Sequence, residues 1–305
     1  MHIAVLANAD SWYLRDLERA AAGRHQISGL DFSQLHATLG GAPQIRCGEF
    51  DVSAADAVLV RTMPPGSLEQ VVFRMDLLSR LTAAGTPVVN PPRAIEAAVD
   101  KYLTSALLES AGLIVPETRV CQDPEQAMQA FGELGGDVVV KPLFGSEGRG
   151  IARLQDEALA ERAFKMLAQL RAVLYVQRFV QHEGADLRLL VIGQRVLAMR
   201  RRNALDWRTN ISRGATAEAF DPSDELVETA RRAAAAVGAP VAGVDLLQGR
   251  DGRMYAIEVN AVPGWKALAR VTGIDVAGLV LDYVASCVER RGVPPGSGQG
   301  ASVCR

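Results

Sequence analysis

Two stretches of the chain carry residue types suited to phosphate and metal chemistry. The first is Lys141-Pro142-Leu143-Phe144-Gly145-Ser146-Glu147-Gly148-Arg149-Gly150-Ile151, where the apolar run Val138 to Val140 ends on a lysine and three glycines follow within six residues. Glycine lets backbone N–H groups approach an anion closely, and a loop of this kind can close over a polyphosphate. Lys141 would bring a compact positive charge to those phosphates. No Gly-Lys-Ser/Thr ends the loop, so it is not of the Walker type. A glycine-rich surface hairpin reads the same way, and the loop alone leaves both readings open. The second stretch pairs Gly243-Val244-Asp245-Leu246 with Ile257-Glu258-Val259-Asn260. Asp245, Glu258 and Asn260 all offer hard oxygen ligands, which suit magnesium shared with phosphates and water. Glu258 and Asn260 stand two apart on a strand and share a face, with Asp245 opposite on the partner strand. Their flanks Val244, Leu246, Ile257 and Val259 are expected to face the other way. The plain alternative is a polar face on an edge hairpin. It loses ground because Ala261-Val262-Pro263-Gly264 continues as loop rather than sheet.

A basic series follows: Arg188, Arg200, Arg201, Arg202, Arg208 and Arg213. Arginine forks grip phosphate and carboxylate with two parallel hydrogen bonds. A solvated basic face or an RNA-binding patch would look similar, but the overall acidic balance argues against general RNA affinity. Val176-Gln177-Arg178-Phe179-Val180 is a strand running into a loop, able to offer backbone groups to a purine edge. By itself an ordinary strand end is the better default.

Positioning these residues requires a sizeable fold. The 305 residues suggest about two domains, and 49% hydrophobic with 22% charged residues describes a globular chain. A net charge of -2, from 33 basic and 35 acidic residues, gives no global case for nucleic acid or membrane binding. Cys47, Cys121, Cys287 and Cys304 form no C-x-x-C pair and no metal spacing with histidine, which argues against zinc or a disulfide framework. The start lacks signal-peptide character and no apolar run reaches membrane length, so a cytoplasmic protein is expected. Strands are expected at Ile3 to Ala7, Ala57 to Val60 and Pro87 to Asn90, alternating with helices at Ser11 to Ala22 and Leu68 to Ala84. That alternation implies a small parallel α/β domain over residues 1–95. One helix is expected from Ala94 to Ala111, carrying Asp100 and Lys101. Strands at Glu117 to Cys121, Val138 to Lys141 and Leu174 to Val180 come next, with helices at Pro124 to Leu134 and Glu157 to Gln169. Two hairpins follow. Leu187 to Ile192 turns at Gly193-Gln194 into Val196 to Arg200, and Val241 to Leu247 turns at Arg250-Asp251-Gly252 into Met254 to Val259. Helices are expected at Leu226 to Val237 and Val276 to Arg290, and residues 292–305 read as a disordered tail.

In this order, the features resemble the ATP-grasp superfamily, and within it the ribosomal-protein glutamate ligase (RimK) type of alpha-L-glutamate ligase. The likeness runs from about Asp100 to Tyr283. It is carried by Asp100-Lys101, Pro116-Glu117-Thr118, the Lys141 to Ile151 loop, Gln177 to Val180 and Asp186-Leu187-Arg188. Trp207-Arg208-Thr209-Asn210, Arg213-Gly214, Ala242 to Asp245, Glu258 to Gly264 and Thr272 to Asp275 complete it. The resemblance implies an α/β (α+β) ATP-grasp fold. Its N-terminal α/β domain spans 1–95, a central subdomain with the glycine-rich loop 96–176, and a C-terminal subdomain with the magnesium site 177–291. The two subdomains clasp ATP.

The resemblance also implies roles. Lys101 and Lys141 would contact ATP phosphates, with Gly145, Ser146, Gly148 and Gly150 in the nucleotide loop. Gln177 and the backbone of Arg178, Phe179 and Val180 would hold adenine, and Asp186 matches a nucleotide-contacting position. Asp245, Glu258 and Asn260 would hold two magnesium ions, replaceable by manganese, with Glu258 bridging. Arg208, Thr209 and Asn210 would lie beside the terminal phosphates, and one arginine of the 200–202 cluster, best aligned as Arg202, would stabilise the intermediate together with Arg208. Arg188 and Arg213 fall to the substrate. The loop near Arg202 is shorter than usual, and Arg178 stands where an acidic residue is common.

The implied reaction is acyl transfer in two steps. A carboxylate takes the γ-phosphoryl group of ATP, and an amine then displaces phosphate to form an amide. No side-chain nucleophile is needed, which matches the lack of a Ser–His or Cys–His motif. Arg61, in Val60-Arg61-Thr62-Met63-Pro64, reads either as a contact to a substrate carboxylate or as a structural salt bridge. The expected partners are a small-molecule carboxylate acceptor and an amino-acid donor, with no nucleic acid and no membrane. The favoured acceptor is a tetrahydromethanopterin-like coenzyme and the favoured donor glutamate. A protein tail or carrier protein is the alternative acceptor. A rival of another class is an ATP-binding regulator without ligase activity, against which the three intact metal-ligand candidates count. Such relatives often form dimers or tetramers, so a homo-oligomer stays open.

Overall fold

The structure is a computed structural model that describes residues 1–40, 44–145 and 149–291. Ser146 and Gly148, and the tail expected at 292–305, lie outside the described residues. The first sheet is built from β1 (His2–Leu6), β2 (Gln26–Leu30), β6 (Ala57–Val60) and β7 (Val88–Val89), all parallel, in the order β2-β1-β6-β7. α1 (Trp12–Ala21), α2 (Leu68–Ala83) and α3 (Pro92–Val99) follow three of these strands. The central strands β1 and β6 are almost wholly apolar and buried because helices cover both faces, whereas β2 at the edge carries Gln26 and Ser28. A small antiparallel sheet of β3 (Leu35–Thr38), β4 (Gln44–Cys47) and β5 (Phe50–Asp51), which the sequence reading did not anticipate, sits between β2 and β6 in the chain.

The single helix expected from Ala94 to Ala111 is two. Asp100 leaves the helical conformation at φ -88° and ψ 107°, and its carboxylate accepts the N–H of Leu103 as the N-cap of α4 (Lys101–Ser110). An aspartate competes for backbone N–H groups and so starts a new helix instead of continuing the old one. The break puts Lys101 in the first turn of α4, with its N–H on the carbonyl of Leu143 at 3.2 Å.

The central region is an antiparallel sheet in the order β10-β9-β11-β8, from β8 (Thr118–Cys121), β9 (Val138–Lys141), β10 (Ala152–Leu154) and β11 (Leu174–Arg178). α5 (Pro124–Glu133) and α6 (Glu157–Gln169) back it. β9 and β10 pair across the glycine-rich loop, Val140 opposite Ala152, so the loop is the tip of a hairpin. The C-terminal sheet is also antiparallel, in the order β14-β13-β12-β15-β16. Its strands are β12 (Ala185–Ile192), β13 (Arg195–Arg202), β14 (Thr216–Ala219), β15 (Val241–Gln248) and β16 (Met254–Asn260). Both expected hairpins are present, β12 with β13 and β15 with β16. α7 (Asp224–Val237), α8 (Lys266–Thr272) and α9 (Val276–Arg291) complete the chain.

The packing groups these parts unequally. One apolar cluster joins Leu6 and Val58 to Leu189 and Val244, and another joins Val5 and Leu59 to Leu190, Trp265 and Leu281. The first and third regions therefore share their cores. The central sheet has its own, made of Phe131, Val138, Val140, Phe164, Leu174 and Val176. Phe164 is fully buried there. Phe164→Ala should cost about 3–5 kcal/mol. Hydrogen exchange should then quicken at Val138–Lys141 and Leu174–Arg178 while β1 and β12 keep wild-type protection.

Candidate active site

A cleft between the central and C-terminal sheets collects most of the polar residues that the sequence singles out. Lys101, Lys141, Gln177, Arg178, Phe179 and Val180 line it from the central side. Asp186, Asp245 and Glu258 line it from the C-terminal sheet, and Arg208, Thr209 and Asn210 from the loop between β13 and β14. Arg61, Arg188, Arg202, Arg213 and Asn260 are not among its lining residues.

The two lysines form a cationic end. Lys101 Nζ donates to the carbonyl of Gly145 at 2.8 Å, which ties α4 to the base of the glycine-rich loop. Gly145 and Gly150 have φ of 145° and 71°, conformations that favour glycine. Lys141 Nζ donates to Gln177 Oε1 at 2.7 Å. Burial pushes the Lys141 ammonium down to about 8, with Glu258 opposing the shift and Lys101 adding to it. Burial lowers Lys101 too, against Glu258 and Asp100. Gln177 is fully engaged within the protein. Its Nε2 donates to Thr118 Oγ1 at 3.0 Å and Tyr175 Oη at 3.1 Å, and Tyr175 Oη meets Ser105 Oγ at 2.8 Å. Gln177 thus holds Lys141 and has no amide proton left for a base.

The strand end beyond Gln177 is more selective than the sequence implied. The N–H groups of Arg178 and Phe179 donate to Glu117 O and Asp137 O at 2.8 and 2.9 Å. The N–H of Val180 has no acceptor among the described residues and remains for a ligand. Arg178 turns its side chain to Glu117, 2.8 Å away. Phe179 lies under the Arg153 guanidinium at 3.5 Å and meets Trp207 edge-on at 5.6 Å between ring centroids. Tyr175 and His182 also line the cleft and were missed, because a tyrosine within an apolar strand reads as core and a lone loop histidine carries no signal; Trp207, singled out only as part of a motif, lines it too.

At the oxygen-rich end, Asp245 pairs directly across the ladder with Glu258. The ladder shifts just after Asp245, and Leu246 faces Ala256, which leaves Ile257 as an extra residue. A bulge of this kind breaks strict alternation. Ile257 therefore lines the cleft beside Glu258 instead of facing away. Asp245 is buried, and its Oδ1 lies 2.8 Å from Arg188 Nε without a hydrogen bond. Glu258 has no hydrogen bond or ion pair among the described residues. Asn260 Oδ1 accepts the N–H of Val262 at 2.8 Å. An orphaned buried carboxylate oxygen facing an unpartnered carboxylate fits a hard cation whose remaining ligands are phosphate and water.

Of the three arginines 200–202, only Arg201 lines the cleft. Arg202 pairs with Glu218 at 3.4 Å, and Arg200 with the same residue at 3.3 Å, on the side away from the cleft. Arg201 enters the cleft, 3% exposed. Its Nε and Nη2 donate to Asp186 at 2.7 and 2.5 Å, and Nη2 lies 3.1 Å from Asp245. Burial disfavours that guanidinium, but Asp245 and Asp186 outweigh the burial and hold it above the usual range. Strand alternation decides which arginine points inward. Counting outward from the Gly193-Gln194 turn puts Arg201 opposite Asp186. Asp186 also accepts Thr209 Oγ1 at 2.6 Å, so its oxygens position Arg201 and Thr209. Arg188 is committed to Asp245, and Arg208 to Asp206 at 2.6 Å. Buried Asn203, also missed, fixes the loop. It donates to Arg208 O and Arg213 O at 2.8 and 3.2 Å and accepts the N–H groups of Leu205 and Asp206.

Cationic lysines, paired carboxylates and a free strand-edge N–H between two antiparallel sheets define a nucleotide cleft of the ATP-grasp kind. The RimK-like ATP-grasp domain family matches residues 98–284, and the chain belongs to that family. The tetrahydromethanopterin:alpha-L-glutamate ligase of Methanosarcina acetivorans is 35% identical over 272 residues, covering 80% of this chain and 84% of that protein. Among solved structures, the ATP-grasp ligase PsnB complexed with minimal precursor, Mg and ADP superposes with a TM-score of 0.74. It is 25% identical and covers 94% of this chain and 97% of its own. The RimK domain ATP-grasp protein of Sphaerobacter thermophilus gives 0.71 at 28% identity, over 93% and 100%. ATP-grasp ligases use ATP and magnesium. Among the described residues no single helix is long and apolar enough to cross a membrane.

The depressed Lys141 ammonium sets a pH dependence. Phosphates favour the charged form, so binding ADP without metal takes up a proton once the free protein has lost it. Affinity should be flat below about 8 and fall above it, with Kd about tenfold weaker at pH 9 than at pH 7. Calorimetry in buffers of different ionisation enthalpy should detect the proton uptake, and Lys141→Met should remove both the slope and the uptake.

Proposed function

We propose that the protein joins L-glutamate to the carboxylate of a small coenzyme acceptor of the tetrahydromethanopterin class, using ATP. The observation that carries the substrate reading is the 35% identity over 80% of the chain with the Methanosarcina acetivorans ligase. The cleft supports the chemistry. The acceptor carboxylate would take the γ-phosphoryl group and release ADP, and the glutamate amine would then displace phosphate. A carboxylate is a poor electrophile, so the phosphoryl group makes the leaving group that amide formation needs.

In this reading Lys101 and Lys141 bind the phosphates, and the N–H of Val180 meets the adenine edge. Arg201 stabilises charge on the transferring group, held in place by Asp186, while Arg208, Thr209 and Asn210 flank it. Asp245, Glu258 and Asn260 would hold magnesium, two ions in this reading, which would neutralise phosphate charge when bound. Arg188, although paired with Asp245, and Arg213 are assigned to the acceptor side in this reading. The glycine-rich hairpin excludes water from the acylphosphate. A second reading, a peptide or protein-tail acceptor, draws on the likeness to PsnB, whose structure holds a precursor.

The test is ADP and phosphate release with magnesium over a panel of coenzyme and peptide acceptors with different amino acids. Release that requires a pterin-type acceptor and glutamate supports the proposal, and release with a peptide tail supports the second reading. ATP binding without turnover on any acceptor would point to a regulator. Arg201→Met should lower kcat by about 10²–10³ while Arg202→Met stays within about threefold of wild type. The reverse order would return the role to Arg202.

A further inference from the structure

Arg61 directly follows β6 and is buried at 7% exposure, yet no carboxylate pairs with it among the described residues. Its Nη2 donates to the carbonyl of Pro263 at 2.6 Å. Its guanidinium lies 4.2 Å from the Trp265 ring centre and 5.1 Å from that of Tyr13. Its Nε is buried and has no partner. Burial alone pulls its pKa down to about 10, with Tyr13 opposing. An unpaired buried cation is costly, and an apolar side chain of similar size would be the more stable choice. Stability therefore does not account for an arginine here.

A neighbouring strand end does a parallel job. Asn90 follows β7 and is 2% exposed. Its Nδ2 donates to Val241 O at 2.6 Å and Ala261 O at 2.5 Å, and its Oδ1 accepts the N–H of Val241 at 3.0 Å. Ala261 and Pro263 belong to the loop that leaves β16 directly after Glu258 and Asn260. Trp265, fully buried, anchors the far end of that loop by donating Nε1–H to Asp16 Oδ2 at 2.9 Å. In a parallel sheet the crevice beyond the carboxyl ends of the strands is where ligands usually bind. Here that crevice grips the loop 261–265.

We infer that Arg61 is a positioning residue for the metal-binding end of β16, holding the Pro263 carbonyl so that Glu258 and Asn260 present their oxygens to the cation. Asn90 does the same at Ala261. The inference rests on the magnesium role proposed for Glu258 and Asn260. It replaces a direct contact between Arg61 and substrate, since the Nε is closed to solvent and the residue does not line the cleft.

The experiment is calorimetric titration of the full chain with ADP, in excess magnesium and in EDTA, for wild type, Glu258→Ala, Arg61→Met and Arg61→Lys. Wild type should bind ADP more tightly with magnesium, and Glu258→Ala should abolish the difference. Arg61→Met should lose about tenfold or more of the magnesium-dependent tightening while its EDTA affinity stays within about twofold. Arg61→Lys, which can still reach Pro263 O but lacks the planar fork, should recover part of that loss and stay about threefold below wild type. A purely structural role would lower the melting temperature and both affinities together, which would overturn the inference. So would an unchanged magnesium effect in Arg61→Met with a raised KM for the acceptor. Should Arg61→Met fail to fold, Arg61→Lys is read alone and must lose about threefold or more, because it lacks the planar fork that lies on Trp265. Absence of any magnesium effect in wild type would remove the metal role itself. Loss of the effect in Glu258→Ala but not in either Arg61 variant would overturn the positioning role alone.

Discussion

The cleft is governed by the cost of holding charges out of water. Two ammonium groups, two guanidinium groups and three carboxylates converge where solvent is scarce. Each charge is tolerable only because another of opposite sign stands beside it. Asp186 and Asp245 share Arg201, Arg188 is set against Asp245, and Glu258 acts on both lysines. The balance is incomplete at two points, the lowered Lys141 ammonium and the Glu258 carboxylate, which has no ion pair among the described residues. These are the points at which a polyphosphate and a hard cation would restore neutrality. The site is therefore preorganised for a pair of opposite charges arriving together.

Much of this was legible in the sequence because it rests on short-range rules. The Gly193-Gln194 turn announced one hairpin and the Arg250 to Gly252 segment the other, and the apolar strands of the first sheet declared a parallel sheet. Glu258 was placed opposite Asp245 by strand period alone, and the ladder agrees. The parts that escaped depend on register or competition. Within the 200–202 cluster it is Arg201 that faces the cleft, because inward and outward positions alternate and a shift of one residue inverts the face. Ile257 joined the cleft because a bulge suspends that alternation. Asp100 split a helix because its carboxylate capped Leu103, a choice that apolar periodicity does not reveal. Asn203 and Gln177 hold neighbours by several hydrogen bonds each, and such roles have no linear signature.

The distribution of apolar packing bears on function as much as the polar residues do. The first and third regions share two cores, whereas the central sheet keeps its own. The cleft lies along the seam between these two bodies, and the glycine-rich hairpin belongs to the smaller one. A nucleotide in the seam would touch both, so binding energy can draw the bodies together without disturbing either interior.

The bulge at Ile257 also limits which insertions and deletions the strand can absorb. At the present strand length, Glu258 reaches the cleft because one unmatched residue precedes it. Removing a single residue between Met254 and Ile257 would delete the bulge and leave Glu258 opposite Asp245 in a regular ladder, so Glu258 would keep its face while the extra side chain beside it is lost. Removing two would bring Glu258 opposite Leu246 and turn it away from the cleft. The segment before Glu258 thus behaves as a spacer whose length is counted residue by residue, while the sequence of that spacer is free to vary wherever burial permits.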